Sequence, residues 1–165
     1  MKSRSAKYVV RKPLLEGLKT RFQAEERSEG NILYARVKSE NYLETAKYLK
    51  EQGFRRLITV SAVDWIDKGV YEVYFLVYNS EDNLYAKVAT ETPRDAATLP
   101  SLSTLWENAE LHEREAWEMF GITFDGNNML KPLFLEDPPR IPPFRKEFDW
   151  REEVKKEYGL TWPEY

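Results

Sequence analysis

The sequence contains no cysteine and a single histidine, His112. Without cysteine the chain cannot form a disulfide, use a thiol as a nucleophile, or bind a zinc ribbon or an iron–sulfur cluster through thiolates. A metal site that used His112 would need carboxylates or a second chain to complete its ligand set. These two counts exclude most redox and metal chemistry from the chain itself.

Long hydrophobic runs and glycine-rich loops are also missing. Charges interrupt every apolar stretch before it reaches the roughly 20 residues that a membrane helix needs. The first twelve residues, MKSRSAKYVVRK, lack the apolar centre of a secretory signal. The seven glycines form neither a phosphate-binding loop nor a nucleophile elbow. We therefore expect no membrane span, no secretion and no nucleotide loop.

What is present indicates one folded domain with a tail. The 165 residues are 42% hydrophobic and 14% aromatic, which excludes disorder for most of the length. Only two glutamines accompany many Glu and Lys residues, a composition that fits a heat-adapted protein.

Charge is unevenly distributed along the chain. Residues 1–21 have a balance of +6, and the remaining residues a balance of −9. A basic arm on an acidic body suits either attraction to anionic lipid or pairing with an acidic neighbour, and we favour a solvated or paired arm for so short a segment. Nucleic-acid binding is disfavoured because no basic stripe interleaves with aromatic residues.

Hydrophobic periodicity predicts an α+β body. A helix is predicted from Pro13, and a second helix from a capping box at Asn41 to Gln52, with Gly53 as its terminator. Strands are predicted at 32–38, 56–65, 70–78 and 84–90. Residues 100–121 are predicted to form one helix with Ser101 or Ser103 as a cap, or two short helices with a second start at Asn108. This order favours a two-layer α+β fold with a mixed sheet.

The chain divides into an N-terminal arm with the first helix (1–30), an α/β body (31–130) and a C-terminal tail (131–165). Six of the nine prolines lie in the tail, together with seven aromatic residues. Prolines prevent a long regular helix before Arg145, and exposed aromatics favour aggregation. Because the body has little spare surface, we expect much of the tail to cover a partner, with residues 144–150 as its anchor.

The densest polar cluster comprises Glu110, His112, Glu113, Arg114, Glu115 and Glu118. As a metal site it offers His112 and Glu115, but the H-E-x-x-H pattern is incomplete. As an acid–base pair, Glu113 and Glu115 face different sides of a helix. Ion pairs at i, i+4 between Glu110, Arg114 and Glu118 form the favoured interpretation, a stabilised helix face.

This segment, EREAWEMFG at 113–121 followed by ITFDG at 122–126, resembles the signature of the thirty-kilodalton, C-type subunit of respiratory complex I. Archaeal membrane-bound nickel–iron hydrogenase and sulfur-reducing complexes contain relatives of that subunit. The FRKEF run at 144–148 matches a second element, so the resemblance spans roughly residues 31–150. Asn127 and Asn128 replace the usual His–Pro, and EDPPRIPP at 136–143 is proline-rich, which favours a divergent, archaeal branch.

The resemblance implies a cofactor-free structural subunit on the cytoplasmic face of the membrane, in contact with the membrane only through its partners. It would hold a large catalytic-type subunit and a small iron–sulfur subunit in register. Iron–sulfur clusters, and nickel–iron in hydrogenase-type relatives, would lie in those partners. The interface and structural residues implied are Glu113, Arg114, Glu115, Glu118, Phe120, Gly121, Gly126, Phe144, Arg145, Lys146 and Phe148.

The resemblance also predicts that Arg114 lies among Glu113, Glu115 and Glu118 in a partly buried network. Two alternatives remain open from the residues alone. One is a free-standing cytoplasmic α+β module that binds proteins. The other is an enzyme that uses Glu113 or Glu115 as a general base.

Overall fold

The computed structural model describes residues 4–159, with side chains from Lys12 onward except that of Glu157. Within this range the chain forms four α-helices and seven β-strands. Their bounds are α1 Arg4–Phe22, β1 Glu25–Glu29, β2 Ile32–Arg36, α2 Tyr42–Glu51, β3 Arg56–Trp65, β4 Val70–Asn79, β5 Leu84–Pro93, β6 Thr98–Pro100, α3 Ala109–Phe120, β7 Thr123–Asp125 and α4 Trp150–Tyr158.

The strands form two sheets. The larger has the order β1-β2-β5-β4-β3, in which β2 pairs with β5 in parallel and the other neighbours are antiparallel. The smaller pairs β6 with β7 in parallel. This mixed sheet with helices confirms the predicted α+β class, and β3, β4 and β5 begin where the hydrophobic pattern places them.

One face of the large sheet forms the core. Along β4 the side chains alternate strictly between buried and half-buried, and Tyr71, Val73, Phe75 and Val77 are buried. The same hydrophobic cluster includes side chains of α1, α2 and α3, so these helices cover this face. The two-residue repeat of strand side chains therefore directs one side of β4 into the core that these helices cover.

The N-terminal part differs from the prediction in two respects. Pro13 lies inside α1 rather than at its start, because the helix already begins at Arg4. Strand β1 was not predicted, since its sequence EERSE has no apolar alternation. It is paired with β2 through a tight turn at Gly30, which has a positive φ of 57°.

The starts of α2 and α3 differ from the capping that the sequence predicts, whereas the end of α2 agrees with it. Asn41 precedes α2, but its side-chain amide donates to the carbonyl of Phe22 at 3.2 Å and makes no cap, so the predicted capping box is wrong. Gly53 follows α2 with a positive φ, as predicted. Helix α3 begins at Ala109 after Asn108, where the sequence predicts an alternative second start, whereas no helix forms at 100–107, where Ser101 hydrogen-bonds Ser103 and Glu113.

The segment after β7 runs without regular structure until α4. Asp149 caps α4 by accepting from the backbone N–H of Arg151 at 2.8 Å. The absence of helix before this point agrees with the proline content of the tail. Across residues 4–159, no helix combines the length and the apolar character that crossing a bilayer requires.

Candidate functional site

Glu113 is the buried centre of the acidic cluster on α3. Its side chain has no solvent exposure, and it accepts from the Ser101 hydroxyl at 2.7 Å, the Leu102 N–H at 2.6 Å and the Asn127 amide at 3.0 Å. Burial raises the pKa of Glu113 above its usual value, and the three hydrogen bonds oppose that rise. Glu113 therefore joins the loop before α3 to the turn after β7.

Arg114 does not lie in the predicted network of carboxylates. Its guanidinium donates to the carbonyls of Lys131, at 2.6 Å, and Pro132. The ion pairs found among the described residues do not include Arg114. The two donor groups of the planar guanidinium match two consecutive carbonyls of the passing chain, so the prediction of i, i+4 ion pairs was wrong.

Glu118 binds the next part of the same segment. Its carboxylate is 5% exposed and accepts from the backbone N–H groups of Leu133 at 3.0 Å, Phe134 at 3.0 Å and Leu135 at 2.9 Å. Hydrogen bonds to an ionised acceptor are about twice as strong as neutral ones. Arg114 and Glu118 together attach residues 131–135 to α3, one through carbonyls and the other through amides.

A second attachment lies at the end of β3. The Asp64 side chain accepts from Arg94 at 2.7 and 3.0 Å and from the Lys146 N–H at 2.9 Å. Arg94 also pairs with Glu147. The hydrogen bond to Asp64 is the main reason that the pKa of Arg94 lies above its usual value. This ion-pair network attaches residues 146–147 to the sheet.

Arg145 and Phe144 complete this attachment at the C-terminal end of α3. The Phe144 N–H donates to the carbonyl of Met119 at 2.9 Å, and the Arg145 Nε donates to that of Phe120 at 3.1 Å. The rings of Phe144 and Phe120 meet edge to face at 5.5 Å. A cation is favourable here because the last carbonyls of a helix carry partial negative charge. Gly121 ends α3 with a φ of 80°, and the Arg145 guanidinium lies against it.

Several large apolar side chains of the C-terminal segment remain exposed. Phe134 is 63% exposed, Phe144 55%, Trp150 50% and Tyr158 66%. Aromatic residues are enriched in the centres of protein interfaces, so these exposed side chains are candidates for contact with a partner. Phe134 was not among the predicted interface residues, although its position among prolines in an aromatic-rich tail was a usable signal.

The structure also shows where the remaining predicted residues lie. Glu115 and His112 are partly exposed, and no three metal-ligating side chains converge within residues 4–159. Gly126 has φ of 94° in the turn that leads to Asn127. Phe148 is half-buried, and its N–H donates to the carbonyl of Arg145 at 3.0 Å.

Two important residues could not be identified from the sequence. Asp64 and Arg94 are 30 positions apart, and they meet only because β3 and β5 both flank β4. Lys146 was predicted, but its contact uses the backbone N–H rather than the side chain. A local motif cannot report contacts of this kind.

The fold and this site define a two-layer α+β protein in which an acidic helix binds an extended, aromatic-rich C-terminal segment. Residues 35–154 match the family described as "Respiratory-chain NADH dehydrogenase, 30 Kd subunit", and the chain belongs to this family. The resemblance carried by residues 113–126 and 144–148 is thereby confirmed.

Its relatives include separate and longer proteins. The chain is 31% identical over 135 residues to the C/D subunit of NADH-quinone oxidoreductase from Sulfurihydrogenibium sp., a match that covers 79% of this chain and 23% of that protein. It is 28% identical to the C subunit of the NADH-quinone oxidoreductase from Agrobacterium fabrum, over 66% of this chain and 56% of that protein. The chain thus spans under a quarter of the first relative's length and about half of the second's.

Two solved structures share the fold. A chain of the membrane-bound sulfane sulfur reductase, an archaeal respiratory membrane complex, superposes with a TM-score of 0.81 at 29% identity, covering 95% of this chain and 93% of that one. The trypsin-resistant fragment of Nqo5 superposes with a TM-score of 0.64 at 21% identity, which shows the common fold alone.

Proposed function

We propose that this chain is a structural subunit of the peripheral arm of a membrane-bound, complex I-like respiratory complex. It holds a large catalytic-type subunit and a small iron–sulfur subunit in register on the cytoplasmic side. The observation that carries the proposal is the family match together with a C-terminal segment whose backbone is bound to the body while its large aromatic side chains stay exposed.

The names and lengths of the relatives support the presence of a stable partner subunit. Several are named as C/D subunits, and in them the part that matches this chain is about a fifth of a longer polypeptide. A polypeptide named for both C and D parts keeps them at fixed stoichiometry, so we infer that the C part has a surface that contacts a partner of D type. The exposed rings of Phe134, Phe144 and Trp150 are suited to this role, because aromatic residues are enriched in the buried centres of interfaces.

One solved structure supports an inference about the kind of complex. The 29% identity to a chain of the archaeal sulfane sulfur reductase extends over almost the whole length of both chains. We infer a hydrogenase-like, sulfur-reducing or NADH/quinone-type complex that couples electron transfer to ion translocation, with iron–sulfur clusters, and nickel–iron in the hydrogenase case, in the partner subunits. In this proposal the chain itself binds no cofactor and contacts the membrane only through its partners.

Glu113 does not suit the alternative role of general base. Both of its oxygens accept hydrogen bonds from groups of this chain, and its side chain is fully buried, so no substrate reaches it in this structure. The ion pairs found among the described residues do not include Glu115.

The test is affinity purification of the tagged full-length chain from membranes of its source organism, in mild detergent, with mass spectrometry of the eluate. We expect a large catalytic-type subunit and a small iron–sulfur subunit in equal amounts with the tagged chain. Removal of residues 144–165 should abolish their recovery. A full-length chain that elutes alone as a soluble monomer would favour the free-standing binding module instead.

A point variant avoids the loss of tail contacts that a deletion causes. Phe134→Ala removes an exposed ring and leaves its backbone N–H on Glu118. The matched control is Leu111→Ala, which removes a 52% exposed apolar side chain from α3. We expect partner recovery to fall for Phe134→Ala and not for the control, and equal recovery would exclude Phe134 from the interface.

A further inference from the structure

We infer that the C-terminal segment is a strap that the chain closes on its own body at two independent latches, before any partner binds. The strap is residues 131–148. The Glu118 latch holds residues 131–135, and the Asp64 latch holds residues 144–147. That a partner then meets an already ordered strap rests on the proposed function, but the closure itself concerns this chain alone.

The Glu118 latch recognises backbone only. Three successive N–H groups, of Leu133, Phe134 and Leu135, converge on one nearly buried carboxylate. Successive amides that point at one anion form a small anion-binding concavity, and here the anion is supplied by the same chain. The side chains of residues 133–135 take no part in these bonds, and Arg114 adds its bonds to the carbonyls of Lys131 and Pro132, so Glu118 is the residue that holds the 133–135 amides of this latch.

The Asp64 latch is built from charges and the end of α3. Asp64 binds the Lys146 N–H and the Arg94 guanidinium together, and Arg94 reaches Glu147. The side chain of Asp64 is 1% exposed and that of Arg94 14%, so this pair is screened from solvent. Arg145 adds a bond to the last carbonyl of the helix. None of these groups belongs to the Glu118 latch.

The connection between the latches explains their independence. Residues 136–143 read EDPPRIPP, and their four prolines cannot donate backbone hydrogen bonds. No hydrogen bond or ion pair joins a residue of this stretch to the body in the described part of the chain, although Pro142 lies against Gly121. Because this stretch has no hydrogen bonds to the body and the two latches share no hydrogen-bonding group, opening one latch breaks no bond of the other, so each latch opens with its own free energy.

Residue-resolved amide hydrogen exchange by NMR on the isolated full-length chain tests this inference. In the wild type, the amides of residues 133–135 and those of 144, 146 and 148 should be protected. Glu118→Gln should accelerate exchange at 133–135 about 10- to 100-fold, the range expected when hydrogen bonds to a charged acceptor are lost, and leave 144–148 unchanged. Asp64→Asn should accelerate exchange at 144–148 and leave 133–135 unchanged.

Two control variants remove a carboxylate without touching a latch. Glu115→Gln lies on the same helix as Glu118, and Asp67→Asn lies in the exposed turn after β3. Both should leave all of these amides protected. Unprotected amides in the wild-type strap would overturn the inference of closure, and joint opening of both segments in either latch variant would overturn the independence of the latches. Partner recovery plays no part in this experiment, so its outcome is separate from that of the proposed function.

Discussion

Replacing Glu113 with alanine is the most informative test of the buried centre of the site. The side chain is fully buried and receives one hydroxyl, one backbone and one amide donor. Glu113→Ala leaves these three donors without their acceptor and opens a cavity between α3 and the loop at 101–103. Each unsatisfied buried donor costs about 1–3 kcal/mol.

We therefore expect Glu113→Ala to lower the free energy of unfolding by about 3–5 kcal/mol, less than the sum of three donors because water enters the new cavity. For a domain of this size that is a fall in Tm of roughly 6–20 °C. Denaturant unfolding followed by tryptophan fluorescence measures it, and the slope m should stay constant if the transition remains two-state.

Glu115→Ala is the matched control, because it makes the same substitution on the same helix at a half-exposed side chain. Its effect should stay within about 0.5 kcal/mol. A loss below about 1 kcal/mol for Glu113→Ala would refute the reasoning, since it would mean that the three donors find water or other partners without penalty.

Three further predictions concern the same region. Because burial raises the pKa of Glu113, the folded chain binds more protons than the unfolded chain between the usual glutamate pKa and the raised one. Wild-type stability should therefore fall relative to Glu113→Gln as the pH rises above the usual glutamate pKa, and a parallel pH dependence of the two proteins would contradict this. Arg114→Ala should cost about 1–2 kcal/mol in denaturant unfolding, since it loses two bonds to solvent-accessible carbonyls and not a buried ion pair; a loss above about 3 kcal/mol would restore the network predicted from the sequence. Tyr42→Phe should raise the free energy of unfolding by about 0.5–2 kcal/mol, because the buried Tyr42 hydroxyl has no partner among the described residues, whereas Tyr71→Phe should lower it by about 1 kcal/mol through loss of the bond to the Phe120 carbonyl.

The elements that the sequence predicts well are those with a strong local signal. The apolar alternation of β4 and the glycine after α2 arise from contacts within a few residues, so their pattern is visible along the chain. Strand β1 has no such pattern, because it is held by pairing to β2 and not by burial of its side chains. Its existence depends on tertiary structure and could not be predicted from periodicity.

The candidate site also has parts with a local sequence signal and parts without one. The acidic motif on α3 was found, but its partners were assigned to neighbouring turns of the helix, since i, i+4 pairing is the interaction that a sequence displays most directly. Arg114 and Glu118 instead bind backbone groups 15 to 18 residues later in the chain. Backbone acceptors and donors carry no sequence signature, so the closure of residues 131–135 on α3 could only be observed in three dimensions.

The charged first strand of the sheet has a consequence for how this protein can associate. A strand at the border of a sheet exposes unpaired backbone groups that can recruit a strand from another molecule. In β1, four of the five residues are charged, namely Glu25, Glu26, Arg27 and Glu29, and the strand is short. An incoming strand would have to desolvate these charges, so growth of the sheet past β1 is unfavourable, and this side of the molecule resists the strand-to-strand stacking that leads to aggregation.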